Sequence, residues 1–338
     1  MKTSQSNRES TIRDVAARAN VAVGTVSRYL NGYTLREKNR KRIEEAIREL
    51  GYKENLIAKG MKTRKTHAIG ALVAGYDEYH MSVIKVLERQ ITQRGYTLVV
   101  CDHENDRQIL EQRLNFLLHR RVDGLLLSPS PVDPDLLRKY QYAGIPVILF
   151  NNDLPGIEAD RIFVDNEEAS FRAVEYLILM NHHKIAIING KPEDSTAIQR
   201  LAGYKRAHHN YNISLHEQYI TAGDWKEHSG YFAAKRMMDL THMPTAFFVS
   251  NFWMTFGVLQ ALKEANLRIP EDISLISFDD VDAFRVYRPG ITTVAQPTEQ
   301  MGEIIVDVLF RRLEGENNGP YHTRLPCTII VRDSVKKL

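Results

Sequence analysis

The stretch VAVGTVSRYLNG, Val21 to Gly32, decides how the chain is read. Val23, Val26 and Leu30 recur at spacings of three and four, the period of one helical face, and Gly32 suits the left-handed position that ends a helix. Just upstream, Thr11-Ile12-Arg13-Asp14 has the form of a capping box and opens a helix expected to run through Ala19. Asn20-Val21-Ala22 is left as a tight turn, so the two helices read as a helix-turn-helix. That geometry needs a close crossing. Ala16 and Ala19 permit it, and Val21 and Val26 fill the seam. The face left over carries Thr25, Ser27 and Arg28, whose groups can bond phosphates and base edges. A packed helix pair inside an ordinary domain would share most of these features.

Charge bears on the choice. Residues 1–65 hold 16 Lys+Arg against 7 Asp+Glu, net +9, while the remainder holds 29 against 35, net −6. A basic head on a mildly acidic body suits a polyanion partner, although a solvated helix surface would show the same excess. Thr34-Leu35-Arg36-Glu37 has the form of a second capping box, opening a helix with Ile43, Ile47 and Leu50 that stops at Gly51. A short amphipathic piece from Asn55 to Met61 follows, and 63–66 reads as a polar, basic linker.

Beyond residue 67 the pattern changes to short apolar strands alternating with amphipathic helices. Strands are expected at 68–73, 97–101, 124–127, 147–150, 184–188, 246–249 and 273–277, and helices near 81–94, 106–120, 169–180, 199–209, 229–239 and 255–265. This alternation means doubly wound parallel sheets covered on both faces, and the number of units calls for two lobes. The chain of 338 residues shows no apolar run near the about eighteen residues that a membrane span needs, and no secretory leader, so it is expected to stay in the cytoplasm. Cys101 and Cys327 read as buried free thiols.

The body offers little catalytic chemistry. It has no phosphate loop, no Gly-rich dinucleotide fingerprint and no GxSxG elbow at Ser128-Pro129-Ser130, so no cofactor is expected. His182-His183 reads as a solvated loop pair rather than a metal site. Asp279-Asp280 follows an apolar strand, where the carboxyl ends of parallel strands face a crevice. With no partner nucleophile, a carboxylate there is expected to hold hydroxyls rather than move protons.

Residues 11–62 resemble the DNA-binding head of the lac repressor family of bacterial transcription regulators, through Thr11, Asp14-Val15-Ala16, Ala19, Val21, Thr25-Val26-Ser27-Arg28, Asn31-Gly32, Gly51-Tyr52 and Asn55. The resemblance continues at Asp123-Gly124, Asp165-Asn166, Arg200 to Tyr204, Gly223-Asp224-Trp225, Ser250-Asn251 and Phe278-Asp279-Asp280. It implies an all-α head on a two-lobed α/β effector domain similar to periplasmic sugar-binding proteins. It also implies a bacterial, nucleoid-associated protein, a homodimer open to higher assembly, on a near-palindromic double-stranded operator. By that resemblance Thr11, Val23, Gly24, Thr25, Ser27, Arg28 and Asn31 serve DNA binding. Asn55, Ala58 and Met61 lie in a hinge helix whose wedge is usually Leu, and Glu54 replaces a usual Pro.

The effector set carried over is Asn151, Arg200, Trp225, Asn251, Asp279 and Gln296. Tyr79 and His80 join it because Asp77-Glu78-Tyr79-His80 replaces a loop that in relatives often reads Asn-Pro-Phe-Phe. Asn151 and Phe252 stand where relatives often carry acids, so a less acidic, more aromatic pocket is expected. The function implied is a DNA-binding regulator, a repressor, controlled by a small polar effector such as a sugar. A regulator controlled by a protein partner, or a sugar receptor without a DNA role, are the alternatives; the receptor would carry a leader and lack the basic head.

Overall fold

The computed structural model describes residues 10–30, 32–52, 65–130 and 132–338. They fall into two compact units, Met1–Thr66 and His67–Leu338. Asn31, Asn55, Ala58, Met61 and the expected hinge helix lie outside the described residues.

In the first unit α1 (Ile12–Ala19), α2 (Val23–Leu30) and α3 (Glu37–Leu50) enclose a small core of Val15, Ala16, Ala19, Val26, Ile43 and Ala46. The capping box at Thr11 forms: the Asp14 amide donates to the Thr11 hydroxyl at 3.4 Å, and the Thr11 amide donates to the Asp14 carboxylate at 2.8 Å. Asn20 ends α1 in the left-handed region at φ 51°. The second expected capping box does not form. Leu35 is drawn onto the core, the chain stays non-helical through Arg36, and α3 starts three residues later without a side-chain cap.

The second unit holds two six-stranded sheets. The first contains β1 (Ala68–Val73), β2 (Thr97–Asp102), β3 (Gly124–Leu127), β4 (Val147–Phe150), β5 (Asp160–Val164) and β11 (His322–Leu325), in the order β11-β5-β4-β3-β1-β2. The second contains β6 (Ile185–Asn189), β7 (Ile220–Ala222), β8 (Ala246–Val249), β9 (Ser274–Phe278), β10 (Thr292–Ala295) and β12 (Thr328–Ile330), in the order β12-β10-β9-β8-β6-β7. Every pairing is parallel except β10 with β12. The central strands are buried along their length, as parallel strands with helices on both faces must be.

Helices α4 (Glu78–Gln93), α5 (Arg107–His119) and α6 (Pro134–Tyr142) belong to the first lobe. To the second belong α7 (Asn166–Leu179), α8 (Ser195–Asn210), α9 (Glu227–Met238), α10 (Phe252–Glu264) and the short α11 (Asp282–Val286). The long α12 (Thr298–Leu313) returns to the first lobe, where Met301, Ile305 and Leu309 pack with Val83, Leu87 and Ile91. Its Arg312 grips Asp160 of β5 through two hydrogen bonds of 3.0 and 2.7 Å. The expected strands and helices all occur within a few residues of their ends. Strands β5, β7, β10, β11 and β12 and helices α6, α11 and α12 are additional to them.

Two expectations need correction. His182 is no solvated residue: it is fully buried and clamps the C-terminal tail, one ring nitrogen 2.9 Å from the Thr245 hydroxyl and the other 3.0 Å from the Lys336 carbonyl. His183 alone is exposed. Cys101 and Cys327 are free, as expected, but only partly buried. Among the described residues no helix is long and apolar enough to cross a membrane.

Close helix crossings in the second lobe depend on glycine. A methyl at Gly257 of α10 would sit 1.9 Å from the Glu227 carbonyl oxygen, and one at Gly230 of α9 would sit 2.1 Å from the Met254 carbonyl oxygen. Gly257→Ala should therefore lower the unfolding free energy by about 1–3 kcal/mol, read as a lower urea midpoint at unchanged slope. A parent-like midpoint would mean that the two helices separate at little cost.

Candidate functional site

The carboxyl ends of the parallel strands in both lobes converge on one cleft, the place where open α/β sheets bind ligands. Its volume is about 470 Å³. Asn151 follows β4, Trp225 lies beyond β7, Asn251 follows β8, Asp279 follows β9 and Gln296 follows β10. Tyr79 and His80 enter on the first turn of α4, and Arg200 from α8. All eight residues expected from the sequence line this one cavity. Asp77, Glu104, Asp194, Thr196, Asp224, Lys226 and Trp253 line it as well, and the sequence reading missed them.

Arg200 is the most constrained of these groups. It is 3% exposed, its guanidinium lies 3.5 Å over the Phe278 ring and 5.7 Å from the Trp225 ring centre, and its Nε donates to Asn166 Oδ1 at 2.9 Å. Nη1 donates to the Ser250 carbonyl. Burial lowers its pKa, and the field of Asp279 opposes that fall. Asp279 shows the mirror effect: burial raises its carboxyl above the usual range, against Arg200 and a 2.6 Å hydrogen bond from Gln296 Nε2. Among the described residues no ion pair within 4 Å joins Arg200 to any carboxylate, although its charge and that of Asp279 act on one another. The Oε1 atom of Gln296 is buried with no hydrogen-bond partner among the described residues.

Trp225 is held on several sides. Its indole Nε1 donates to Asp194 at 2.5 Å, its carbonyl accepts from Asn251 Nδ2 at 2.9 Å, and the ring lies against Gly190, where a methyl would come within 1.9 Å. Asn251 Oδ1 also caps α10 by accepting from the Met254 amide at 3.0 Å. Asn251, expected to touch ligand, lines the cavity and also places Trp225, with one Nδ2 hydrogen given to the Trp225 carbonyl and, among the described residues, the other left over. Asn151, Trp225 and Asp279 all adopt φ between 66° and 74°, a left-handed backbone uncommon for residues other than glycine. Burial raises the Asp194 carboxyl, and the hydrogen bond from Trp225 only partly opposes it. Burial also pushes the Tyr79 hydroxyl upward, so it is a neutral donor, reaching the Met301 sulfur at 3.7 Å.

The cleft carries both acids and aromatic rings, the latter Tyr76, Tyr79, Trp225, Phe252 and Trp253. Asp77, Glu104, Asp194, Asp224 and Asp279 line the cleft against Arg200 and Lys226. The missed carboxylates come from loops that only the tertiary fold brings together. No group of three or more His, Cys, Asp or Glu residues among those described is arranged to hold a metal.

On the first unit, the exposed side of α2 presents Val23, Gly24 and Arg28, with Thr25 and Ser27 half-buried. Val26 turns inward. A methyl at Gly24 would meet nothing within 4 Å. The Thr11 hydroxyl donates to Asp14 at 2.7 Å, so it is engaged in capping α1.

A helix-turn-helix head and a two-lobed cleft of this topology define a ligand-binding type of transcription regulator, and comparison with known proteins agrees. Residues 11–55 match the bacterial regulatory proteins of the lacI family, and residues 174–335 match the periplasmic binding protein-like domain. The HTH-type transcriptional repressor PurR of Escherichia coli O1:K1 is 33% identical over 329 residues, covering 96% of each chain. The lac repressor dimer bound to operator and the anti-inducer ONPF superposes with a TM-score of 0.85 at 26% identity, over 97% of this chain and 100% of that one. The complex of the regulator CelR with cellobiose gives 0.74 at 27% identity, over 96% and 100%. The chain belongs to the lacI family and is a DNA-binding transcriptional repressor, not an enzyme.

Two outcomes follow from the cleft. The chain has two tryptophans, so Trp253→Phe leaves Trp225 as the single indole. In that background Gly190→Ala should displace the ring from Asp194 and shift its emission; an unchanged spectrum would mean the ring is not held there. The raised Asp194 carboxyl binds its proton more readily in the native than in the unfolded chain. Its stabilising effect is complete below the unfolded pKa and is lost as pH rises through the native one. Asp194→Asn should therefore raise ligand-free stability at neutral pH and flatten its pH dependence, measured by chemical denaturation at pH 5 and 7.5.

Proposed function

We propose that the cleft binds a neutral, polyhydroxylated small molecule of sugar type, and that its occupancy alters operator affinity. The observation that carries this reading is that one cavity is lined by Arg200, which can only donate, and Asp279, which when ionised can only accept, with no ion pair between them among the described residues. A hydroxyl serves either group, and vicinal hydroxyls serve both. Trp225 and Tyr79 supply apolar faces for sugar C–H groups. The carboxylates that outnumber cations around the cavity disfavour sugar acids and phosphates. A volume of about 470 Å³ suits a mono- or disaccharide. The cellobiose complex of CelR supports the same class.

In this reading the protein is a homodimer on a near-palindromic operator, with one α2 in each major groove. Residues 1–62 form the DNA-binding module, 63–66 the linker and 67–338 the effector and dimerisation module. Arg28 reads a base edge, Thr25 and Ser27 hold phosphates, Val23 touches a thymine methyl and Gly24 reads nothing. Ligand favouring one lobe arrangement over another changes operator affinity by differential binding to the two states.

A thermal-shift panel of cellobiose, D-ribose, D-glucose, glucuronate and glucose 6-phosphate tests the ligand class. Neutral sugars should raise the melting temperature and the anionic members should not, since ligand stabilises the native state by mass action. A shift with the anions alone overturns the reading. Arg200→Ala should abolish any ligand response in operator anisotropy titrations. Arg28→Ala should cost about 1–3 kcal/mol of operator affinity and relax the preference at one base pair per half-site; an equal loss on all sequences would move Arg28 to the phosphate backbone.

A further inference from the structure

Four polar side chains on the first-lobe side of the cleft form a hydrogen-bonded chain whose direction is set at one end. Asp77 caps α4, accepting from the His80 amide at 2.8 Å through Oδ1, while its Oδ2 lies 2.9 Å from His80 Nδ1. An ionised carboxylate has no proton to give, so Nδ1 carries the hydrogen. In the neutral imidazole this leaves Nε2 bare, 3.4 Å from Ser128 Oγ. Ser128 is fully buried, and its hydroxyl hydrogen goes to that nitrogen. The Ser128 oxygen is then an acceptor, and Asn151 Nδ2 donates to it at 3.2 Å. The amide nitrogen of Asn151 is thus turned toward the protein, and its Oδ1 is the atom left for the cleft that Asn151 lines.

We infer that Asp77, His80 and Ser128 are positioning residues that hold the Asn151 amide with its oxygen toward the cavity, so that this wall takes a ligand group that donates a hydrogen bond. The inference rests on the cleft being a site for a polyhydroxylated ligand. It adds direction at one point: a ligand hydroxyl here gives its hydrogen, and an ether oxygen or fluorine in the same place is rejected. Reversal of the chain requires a second proton on His80. With Nε2 donating, Ser128 would turn its hydrogen to Asn151, and the amide would flip to present its nitrogen.

Proton positions on His80 test the chain without any ligand. In long-range 1H–15N correlation spectra of the full protein at pH 8, above the ordinary imidazole range, His80 is assigned by its loss in His80→Phe. The expected spectrum shows a protonated Nδ1 and a bare Nε2. Asn151→Asp replaces the donor by a second acceptor that competes for the Ser128 hydrogen, so the His80 Nε2 signal should move while Nδ1 keeps its proton. The Nε2–H tautomer in the parent, or an unmoved Nε2 signal in Asn151→Asp, overturns the inference.

Titration with cellobiose and D-ribose tests the consequence. Asn151→Leu should lose about tenfold or more in affinity, the scale of one hydrogen bond, and Asn151→Asp, which keeps an acceptor, should stay within a few-fold of the parent. Equal losses in both variants overturn the inference. If neither sugar binds the parent, the sugar reading falls for these two, and the His80 spectra still decide the chain.

Discussion

A buried guanidinium organises the second unit. Taking Arg200 out of water is costly, and among the described residues no carboxylate forms an ion pair with it to offset the cost. The protein compensates with the Phe278 ring face, the Asn166 side chain and the Ser250 carbonyl. Those three partners come from β9, the start of α7 and the residue after β8, so this one cation ties α8 to three neighbouring elements of the second lobe. Asp279 lines the same cavity, its carboxyl held above the usual range by burial. Two charged groups kept apart in a low-dielectric cleft are preorganised for something that can bridge them.

The backbone carries a matching constraint. Asn151, Trp225 and Asp279 each sit in the left-handed region at or beyond a strand end, where a Cβ is usually unwelcome. Glycine would be easier at all three places, but it would bring no side chain to the cavity. The surrounding structure supports the strained residues one by one: Asn251 ties down the Trp225 carbonyl, Gln296 holds Asp279, and Ser128 holds the Asn151 amide. Polar groups that look like ligand contacts by position therefore divide into those that only face the cavity and those, such as Asn251, that also aim a neighbour.

What could be read from the sequence follows from this division. Central strands such as 124–127 and 147–150 announce themselves because both faces are buried and every residue is apolar. Strands β11 and β12 do not: His322, Arg324 and Thr328 are polar, and edge positions ask for little else. Helix α12 carries an apolar stripe at four-residue spacing and was still missed: Pro297 at its start gives no side-chain cap to mark it. Of the eight residues placed in the cleft, Asp279 was also marked by its place at the carboxyl end of an apolar strand; the other seven came from resemblance to a family. Asp194 and Asp77 escaped because their significance lies in Trp225 and His80, partners that only the folded chain or a helix cap reveals. Thr34 misled for the opposite reason: its capping form was right, and the pull of Leu35 toward the core overrode it.

The chain passes between the two sheets three times, after β5, after β10 and after β11. Strands β5 and β11 lie together at one edge of the first sheet, and β10 and β12 together at one edge of the second, with the Asp165 amide bonded to the Leu325 carbonyl at 2.8 Å. Three short tethers side by side work like the knuckles of a door hinge. They allow the lobes to swing about the line of the tethers and resist sliding or twisting, because either would stretch one tether against another. Rotation about the line of the tethers is the motion that stretches none of them, and it would carry the far ends of the lobes along an arc.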